Sequence, residues 1–248
     1  VTGFPGLGVA PAEEDRIRSG LLRRVREAAG AGGRLPGEFD LAAELGCSRV
    51  QLRQALADLD RMHVIRRRQG AATVVDELGL RLSVRLEEQV EHADLLARLG
   101  YQVEVEVLEH QPAALAADVA GLLGVPAGTP AVRVAKRWLA DGVPAMVAED
   151  ILLLPPGVSD VPDSSLFDAA ARLWGEAVMW EVTTPNAVTA DTRLAALLAL
   201  DEGAPLLVFE TVGLGARGHR IFYALEHHRP DLVRYSVVRT VRPPWTAP

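Results

Sequence analysis

One plan of chain occurs twice in the C-terminal half of this sequence, and it restricts the fold more than any other feature. Residues 118 to 150, DVAGLLGVPAGTPAVRVAKRWLADGVPAMVAED, and residues 192 to 227, TRLAALLALDEGAPLLVFETVGLGARGHRIFYALEH, each read as helix, turn, strand, hairpin and strand. Leu123 stands against Leu198, Gly128 against Gly203, Pro130 against Pro205, Asp141-Gly142 against the Arg217-Gly218 turn, and Glu149 against Glu226. Gly-Thr-Pro and Gly-Ala-Pro are turns that lead into strands, and Asp-Gly is a strong hairpin signal. Upstream, RLEEQVEHADLLARLG reads as a helix stopped at Gly100, and QVEVEVLEH alternates as a half-buried strand does. Two such units that pair their strands give one antiparallel sheet with helices packed on it, an α+β domain with room for a ligand between its halves.

The N-terminal third follows a different rule. Ile17, Leu21, Leu22 and Val25 recur at helical spacing, with arginines on the other faces, up to the Gly-rich stop GAGG. LPGEFDLAAELG predicts a second helix, with Pro36 near its start, Glu38 and Asp40 in its first turn and Gly46 as its stop. Ser48 can cap a third helix, SRVQLRQALADLDRM, whose Leu52, Ala55, Leu56 and Leu59 form one apolar face. Helix, three-residue turn with Gly, helix is the helix-turn-helix arrangement. HVIRRRQGAATVV then predicts two short strands around Gln69-Gly70, a wing.

A formal net charge of −7 argues against nucleic acid only until it is divided along the chain. Residues 16 to 73 hold 12 arginines against six acids, a net of +6, and the rest of the chain carries −13. Exposed charges act over about 8 Å at physiological salt, so DNA meets the basic segment alone. A recognition helix contacts bases through its N-terminal turn. Arg49 and Arg53, four apart, share one side of the third helix with Val50 and Gln51 beside them. Arginine pairs with guanine and glutamine with adenine, each good contact giving roughly 1–3 kcal/mol of discrimination. Arg66, Arg67 and Arg68 are placed to grip phosphates or a minor groove from the wing.

LPGEFDLAAELGCSRVQLRQALADLDRMHVIRRRQGAATVV resembles the winged helix-turn-helix of GntR-type bacterial transcription regulators. The resemblance implies DNA contacts from Ser48, Arg49, Gln51 and Arg53, with Gly70 at the wing tip; Arg67 and Gln69 of the wing complete the expected DNA-binding set. Phe39 stands where the family usually has an arginine, and Ala72 where it has a second wing glycine. Cys47 falls at the family's buried turn position and reads as a small core residue; as the chain's single cysteine it has no internal disulfide partner. The region from about 79 to 242 resembles the UTRA effector-sensing domain of the HutC-type subfamily, whose fold is similar to that of chorismate lyase. LGVPAGTP, RWLADGVP, EDILLLP and HHRPD carry that likeness, in order. In that family a basic residue, the residue two further along its strand and a glutamate on the next strand help hold the effector; here these are Lys136, Trp138 and Glu149. Where sugar-phosphate binders have a second arginine, this chain has Trp138.

Lys136 is the chain's one lysine among 25 arginines, a compact point charge suited to a small anionic or carbonyl group. Trp138 and Trp180 offer either a stacking wall or plain core, and Glu226 and His228 complete the expected effector set. His227 and His228 beside Glu226 and Asp231 suggest a metal, but adjacent histidines point opposite ways on a strand and no third ligand lies at a usual spacing, so neither metal nor cofactor is expected. The expected organisation is a tail (1–13), a winged helix-turn-helix domain (14–76), a linker (77–80), a UTRA sensing and dimerisation domain (81–242) and a second tail (243–248). The expected function is a cytoplasmic repressor that binds operator DNA as a homodimer under control of a small-molecule effector, without catalysis and without a membrane. The alternatives are a dimeric DNA-binding protein that has lost its ligand, and a lyase-like enzyme fused to a DNA-binding head.

Overall fold

The computed structural model describes residues 13–31, 33–68, 71–81, 84–158 and 165–237. They fall into two compact units, one gathering described residues of 11–90, 94–101 and 234–248, the other those of 91–93 and 102–233.

The first unit is built on three helices, α1 (Glu13–Gly30), α2 (Glu38–Leu45) and α3 (Arg49–Arg61). Leu21, Leu22 and Val25 of α1 meet Leu41 and Leu45 of α2 and Leu52, Leu56 and Leu59 of α3 in one core. Burying a leucine side chain is worth roughly 1.5–3 kcal/mol, so this face fixes how the helices cross. Gly46 ends α2 in the left-handed conformation, φ 59°, where a side chain would be strained. Two short antiparallel strands follow, β1 (Ile65–Arg66) and β2 (Val74–Val75), and Arg34 bridges to Val74 as a third edge. The segment expected to be a linker is ordered: α4 (Glu77–Arg81) starts on the side chain of Asp76. Gly79 lies so close to the backbone of His63 that a Cβ there would stand 1.7 Å from its carbonyl oxygen. The next helix, α5 (His92–Arg98), has its residues from 94 onward in this unit. After it, the Tyr101 ring lies 3.5 Å under the Arg26 guanidinium.

The second unit is a six-stranded antiparallel sheet. Its elements in chain order are β3 (Val103–Ala114), α6 (Ala117–Leu123), β4 (Pro130–Ala140), β5 (Val143–Leu153), α7 (Leu166–Trp174), β6 (Val178–Thr189), α8 (Thr192–Leu198), β7 (Pro205–Gly215) and β8 (Arg220–His228). The strand order β3-β4-β5-β8-β7-β6 is two copies of strand, helix and hairpin joined through β5 and β8, so each repeat is one strand longer at its start than the sequence pattern indicates. Helices α6 and α8 cover one face, against Ala131, Leu153 and Tyr223 and against Val147 and Leu206 respectively. Helix α7 covers part of the other, against Val132, Leu152, Phe222 and Ala224.

The register corrects one pairing made from sequence. The register shifts at the same place in each half, between Trp138 and Leu139 of β4 and between Gly213 and Leu214 of β7, with Ala145 of β5 and Ile221 of β8 passed over. Trp138 lies opposite Met146, and Gly213 opposite Phe222. Four residues further along, the equivalent of Glu226 is therefore Asp150, not Glu149. The second hairpin is longer by one residue, Gly213 to Phe222 against Trp138 to Met146, whereas pairing Glu149 with Glu226 would require two. On a strand, one step reverses the face.

Candidate functional site

In the first unit, Ser48 caps α3: its hydroxyl accepts from the Gln51 backbone N–H at 3.2 Å, while the Gln51 side-chain oxygen accepts from the Ser48 N–H at 2.9 Å. This reciprocal capping box engages the oxygen of a glutamine expected to read adenine with oxygen and nitrogen together. The Ser-x-x-Gln spacing was itself the signal for it. Arg49 and Val50 are exposed at the open end of the helix, Val50 to 79%.

Glu38, at the start of α2, was not expected to matter at this surface. Its carboxylate takes Arg53 Nε at 2.7 Å on one oxygen and Arg67 Nη2 at 2.7 Å on the other, tying α3 to the residue after the first wing strand. The hydrogen bond from Arg53 holds the Glu38 carboxyl below its usual range. Arg53 and Arg67 thus form a pair held at one end by a carboxylate. Arg66 meets Asp76 at 3.3 Å. Phe39 is 72% exposed on α2, presenting an apolar ring where an arginine was expected. Cys47 packs against the three-helix core. Gln69 and Gly70 lie outside the described residues.

In the second unit, the sheet face that carries α7 also carries a polar cluster. Pairing puts Lys136 opposite Ala148, Ala148 opposite Glu226, Asp150 opposite Ala224, and Met146 between Trp138 and His228. Lys136, Trp138, Asp150, Glu226 and His228 therefore share one face, with Thr211 on β7 and Glu181 on β6. His92, from the first turn of α5, closes on them. Its Nε2 is 3.1 Å from one oxygen of Glu226, and His228 Nε2 is 3.1 Å from the other. The His92 ring meets Trp138 edge-on at 4.9 Å and His228 at 5.5 Å. Lys136, Asp150, Thr211, Glu226, His228 and His92 are all buried, and they are the buried polar residues among the described ones.

Burial and mutual charge set the protonation states. Burial alone would lower His92, but the Glu226 carboxylate holds it up to about 9. Burial would raise Glu226, yet His92 and His228 hold it below the usual carboxylate range. Burial pushes Asp150 up to about 7, with Glu226 adding to it, and the same two causes bring Glu181 to about 7. His228 is pushed down by burial. The face therefore holds one protonated imidazole against one carboxylate, and beside them two carboxyls poised to change charge near neutrality.

Two residues expected here are elsewhere. Glu149 points to the opposite face, where it accepts from Arg133, with Arg193 at 3.9 Å. Trp180 is 58% exposed on β6, an outer strand of the sheet, and is not brought to the cluster. Asp150 and His92 were missed. The first was hidden by the one-residue shift in register, and the second by its separation from β8 in sequence. The arginine of HHRPD is structural: Arg229 donates to the carbonyls of Pro144 and Leu198, tying the end of α8 to the start of β5.

The family described as bacterial regulatory proteins, gntR family, matches residues 14–75, and the UTRA domain matches residues 98–234. The HTH-type transcriptional regulator Rv0792c of Mycobacterium tuberculosis is 27% identical over 241 residues, covering 93% of this chain and 86% of the relative. The HTH-type transcriptional repressor PhnF of Mycolicibacterium smegmatis is 28% identical over 238 residues, 93% of this chain and 91% of its own. The crystal structure of PhnF from Mycobacterium smegmatis shares the fold, with a TM-score of 0.57 at 24% identity over 88% of this chain and 100% of that one.

Proposed function

We propose how this chain, which belongs to the gntR family of bacterial regulatory proteins and carries a UTRA domain, works as a transcription regulator: it represses by holding operator DNA as a homodimer, and a small molecule seated on the polar sheet face releases it. The DNA-binding half of the reading rests on α3, with Arg49 and Val50 at its open end and Arg53 and Arg67 held by Glu38. Ser48 and Gln51 set the helix start, and Gln69 and Gly70 extend the contact at the wing.

The effector half rests on one observation. A soluble domain seldom buries lysine, aspartate, glutamate and two histidines together unless they do something, since each buried charge carries a desolvation penalty of several kcal/mol. Here they share one sheet face with Trp138. The effector set is accordingly Lys136, Trp138, Glu226 and His228, joined by Asp150 and His92, without Glu149 or Trp180. The protein binds this ligand and does not turn it over. Repression follows the description of PhnF as a repressor. Dimerisation is supported by β6, an edge strand with Met179, Trp180 and Val182 exposed beside its unpaired backbone. The protein works in the cytoplasm, where its operator lies; no helix among the described residues is long and apolar enough to cross a membrane. The chain crosses from one unit to the other within α5, which opens with His92, as it also does after Val90, Tyr101 and Val233.

Thermal shift against a panel of metabolites tests the effector site. A ligand at 100 times its dissociation constant should add about 2.7 kcal/mol to the wild-type protein. It should stabilise Lys136→Ala much less, and Glu149→Gln as fully as wild type. A stabilising compound indifferent to Lys136 would move the effector site elsewhere. No stabilising compound would leave a pure dimerisation module, and turnover of one would make the domain an enzyme.

A further inference from the structure

Three side chains on the polar face come together as metal ligands do. His92, Glu226 and His228 each offer one donor atom, and these atoms all lie within 4.8 Å of one another, all three residues being buried. Glu226 sits between the two imidazoles, 3.1 Å from each through separate oxygens. Around them the rings are fixed: His228 packs against Phe209 at 5.0 Å and against His92, and His92 against Trp138.

Two features set this group apart from an ordinary buried ion pair. The second ring nitrogen of His92, Nδ1, is buried without a hydrogen-bond partner among the described residues. A buried imidazole nitrogen left so carries an uncompensated desolvation cost, and a site completed by a bound species relieves it. The charge balance also has room for a cation. An ion would take the place of the proton on His92, and Glu226 and Asp150 are then opposed by Lys136 alone among the buried side chains of the described residues.

We propose that His92, Glu226 and His228 hold a divalent transition ion, with zinc the best fit. Two imidazoles and one carboxylate suit zinc, nickel or cobalt(II), whereas calcium and magnesium require more oxygen donors than this face supplies. Tetrahedral zinc with three protein ligands keeps a fourth position open. Lys136 and Trp138 share the face on which that position would open. The ion brings two elements distant in sequence, the start of α5 and the end of β8, into one coordination shell. This claim goes beyond the effector reading: a small molecule can seat on Lys136 and Trp138 without a metal, and a metal can bind without controlling DNA.

The full chain is stripped with a chelator, then titrated with zinc by calorimetry and with cobalt(II) by visible absorption, near neutral pH. The expected result is one ion per chain, with the intense visible band of four-coordinate cobalt and no response to magnesium. In His92→Ala and His228→Ala, affinity for that ion should fall at least about 100-fold, more than loss of a supporting residue costs. Because His228 is fully enclosed, its variant is judged only if its circular dichroism matches wild type; His92→Ala, at the first turn of a helix, decides otherwise. Zinc uptake unchanged in His92→Ala would place the ion at other histidines and overturn the proposal, as would no uptake by the wild type.

Discussion

Glu38→Gln separates two ways in which the basic surface can work. The carboxylate holds Arg53 and Arg67, each at 2.7 Å, and the three side chains are 27–56% exposed. Ion pairs that open to solvent are worth about 0.2–1 kcal/mol each. The variant should therefore lose no more than about 2 kcal/mol and remain folded. Its stability should also lose part of its acid dependence: the Glu38 pKa is depressed, so these pairs act above the ordinary value of 4.5 and fade as pH falls through the folded value. The larger effect is on DNA. Arg53 freed from its carboxylate no longer meets a base at one fixed angle, and one base contact is worth roughly 1–3 kcal/mol of discrimination, about 5- to 150-fold. At the same time a negative charge leaves the phosphate-facing surface. Affinity for random duplex should then rise, and the slope of log K against log salt should steepen by up to about 0.9 for one added phosphate contact. Fluorescence anisotropy with operator and random duplexes over a salt series reads both quantities. If the specific-to-random ratio stays within about twofold of wild type, Glu38 does not aim Arg53.

Other consequences follow from single residues. Ala199 ends α8 in the left-handed conformation, φ 51°, at the place where Gly124 ends α6. Ala199→Gly should relieve roughly 1–2 kcal/mol of strain, less the entropy a glycine adds to the unfolded chain, for a net gain of about 0.5–1 kcal/mol in urea unfolding; destabilisation would contradict the repeat alignment. Glu176 accepts the Arg217 backbone N–H at 2.9 Å and faces His219 Nδ1 at 2.7 Å, and these hold its carboxyl down to about 2, with the backbone bond the larger cause. A depressed carboxyl contributes stability above its ordinary pKa and loses it as pH falls toward the folded value. The melting temperatures of wild type and Glu176→Gln should thus converge as pH falls from about 4.5 to 2, and a constant gap would refute this. Wild type should sediment as a dimer and Trp180→Glu as a monomer with its circular dichroism kept; the same sedimentation for both would remove β6 from the interface.

What the sequence revealed depended on how local each signal was. Gly46, Ser48 and the Leu52, Leu56, Leu59 stripe act within a few residues of themselves, and the three helices formed where those signals put them. The repeat was legible because Gly-x-Pro turns and hairpin glycines recur at matching places. Its register was not. The second hairpin is longer than the first by one residue, whereas pairing Glu149 with Glu226 assumes two, and on a strand that one-residue difference reverses the side chain. The face of β5 could be decided only once its pairing with β8 was known. His92 carried no local sign, because the partners that define it, Glu226, His228 and Trp138, come from β8 and β4. Glu38 was taken as first-turn helix chemistry alone, since its partners Arg53 and Arg67 belong to other elements.

The central claim, that the open end of α3 reads operator DNA, is tested most directly by selecting bound fragments from a random or genomic pool with wild type and Arg49→Ala side by side. Wild type should enrich one motif with two half-sites whose centres lie about 10 base pairs, or a multiple of that, apart. Arg49→Ala, folded to the same degree, should lose the motif while keeping weak, salt-sensitive binding to any duplex. Enrichment of the same motif to the same extent by both proteins would contradict the account.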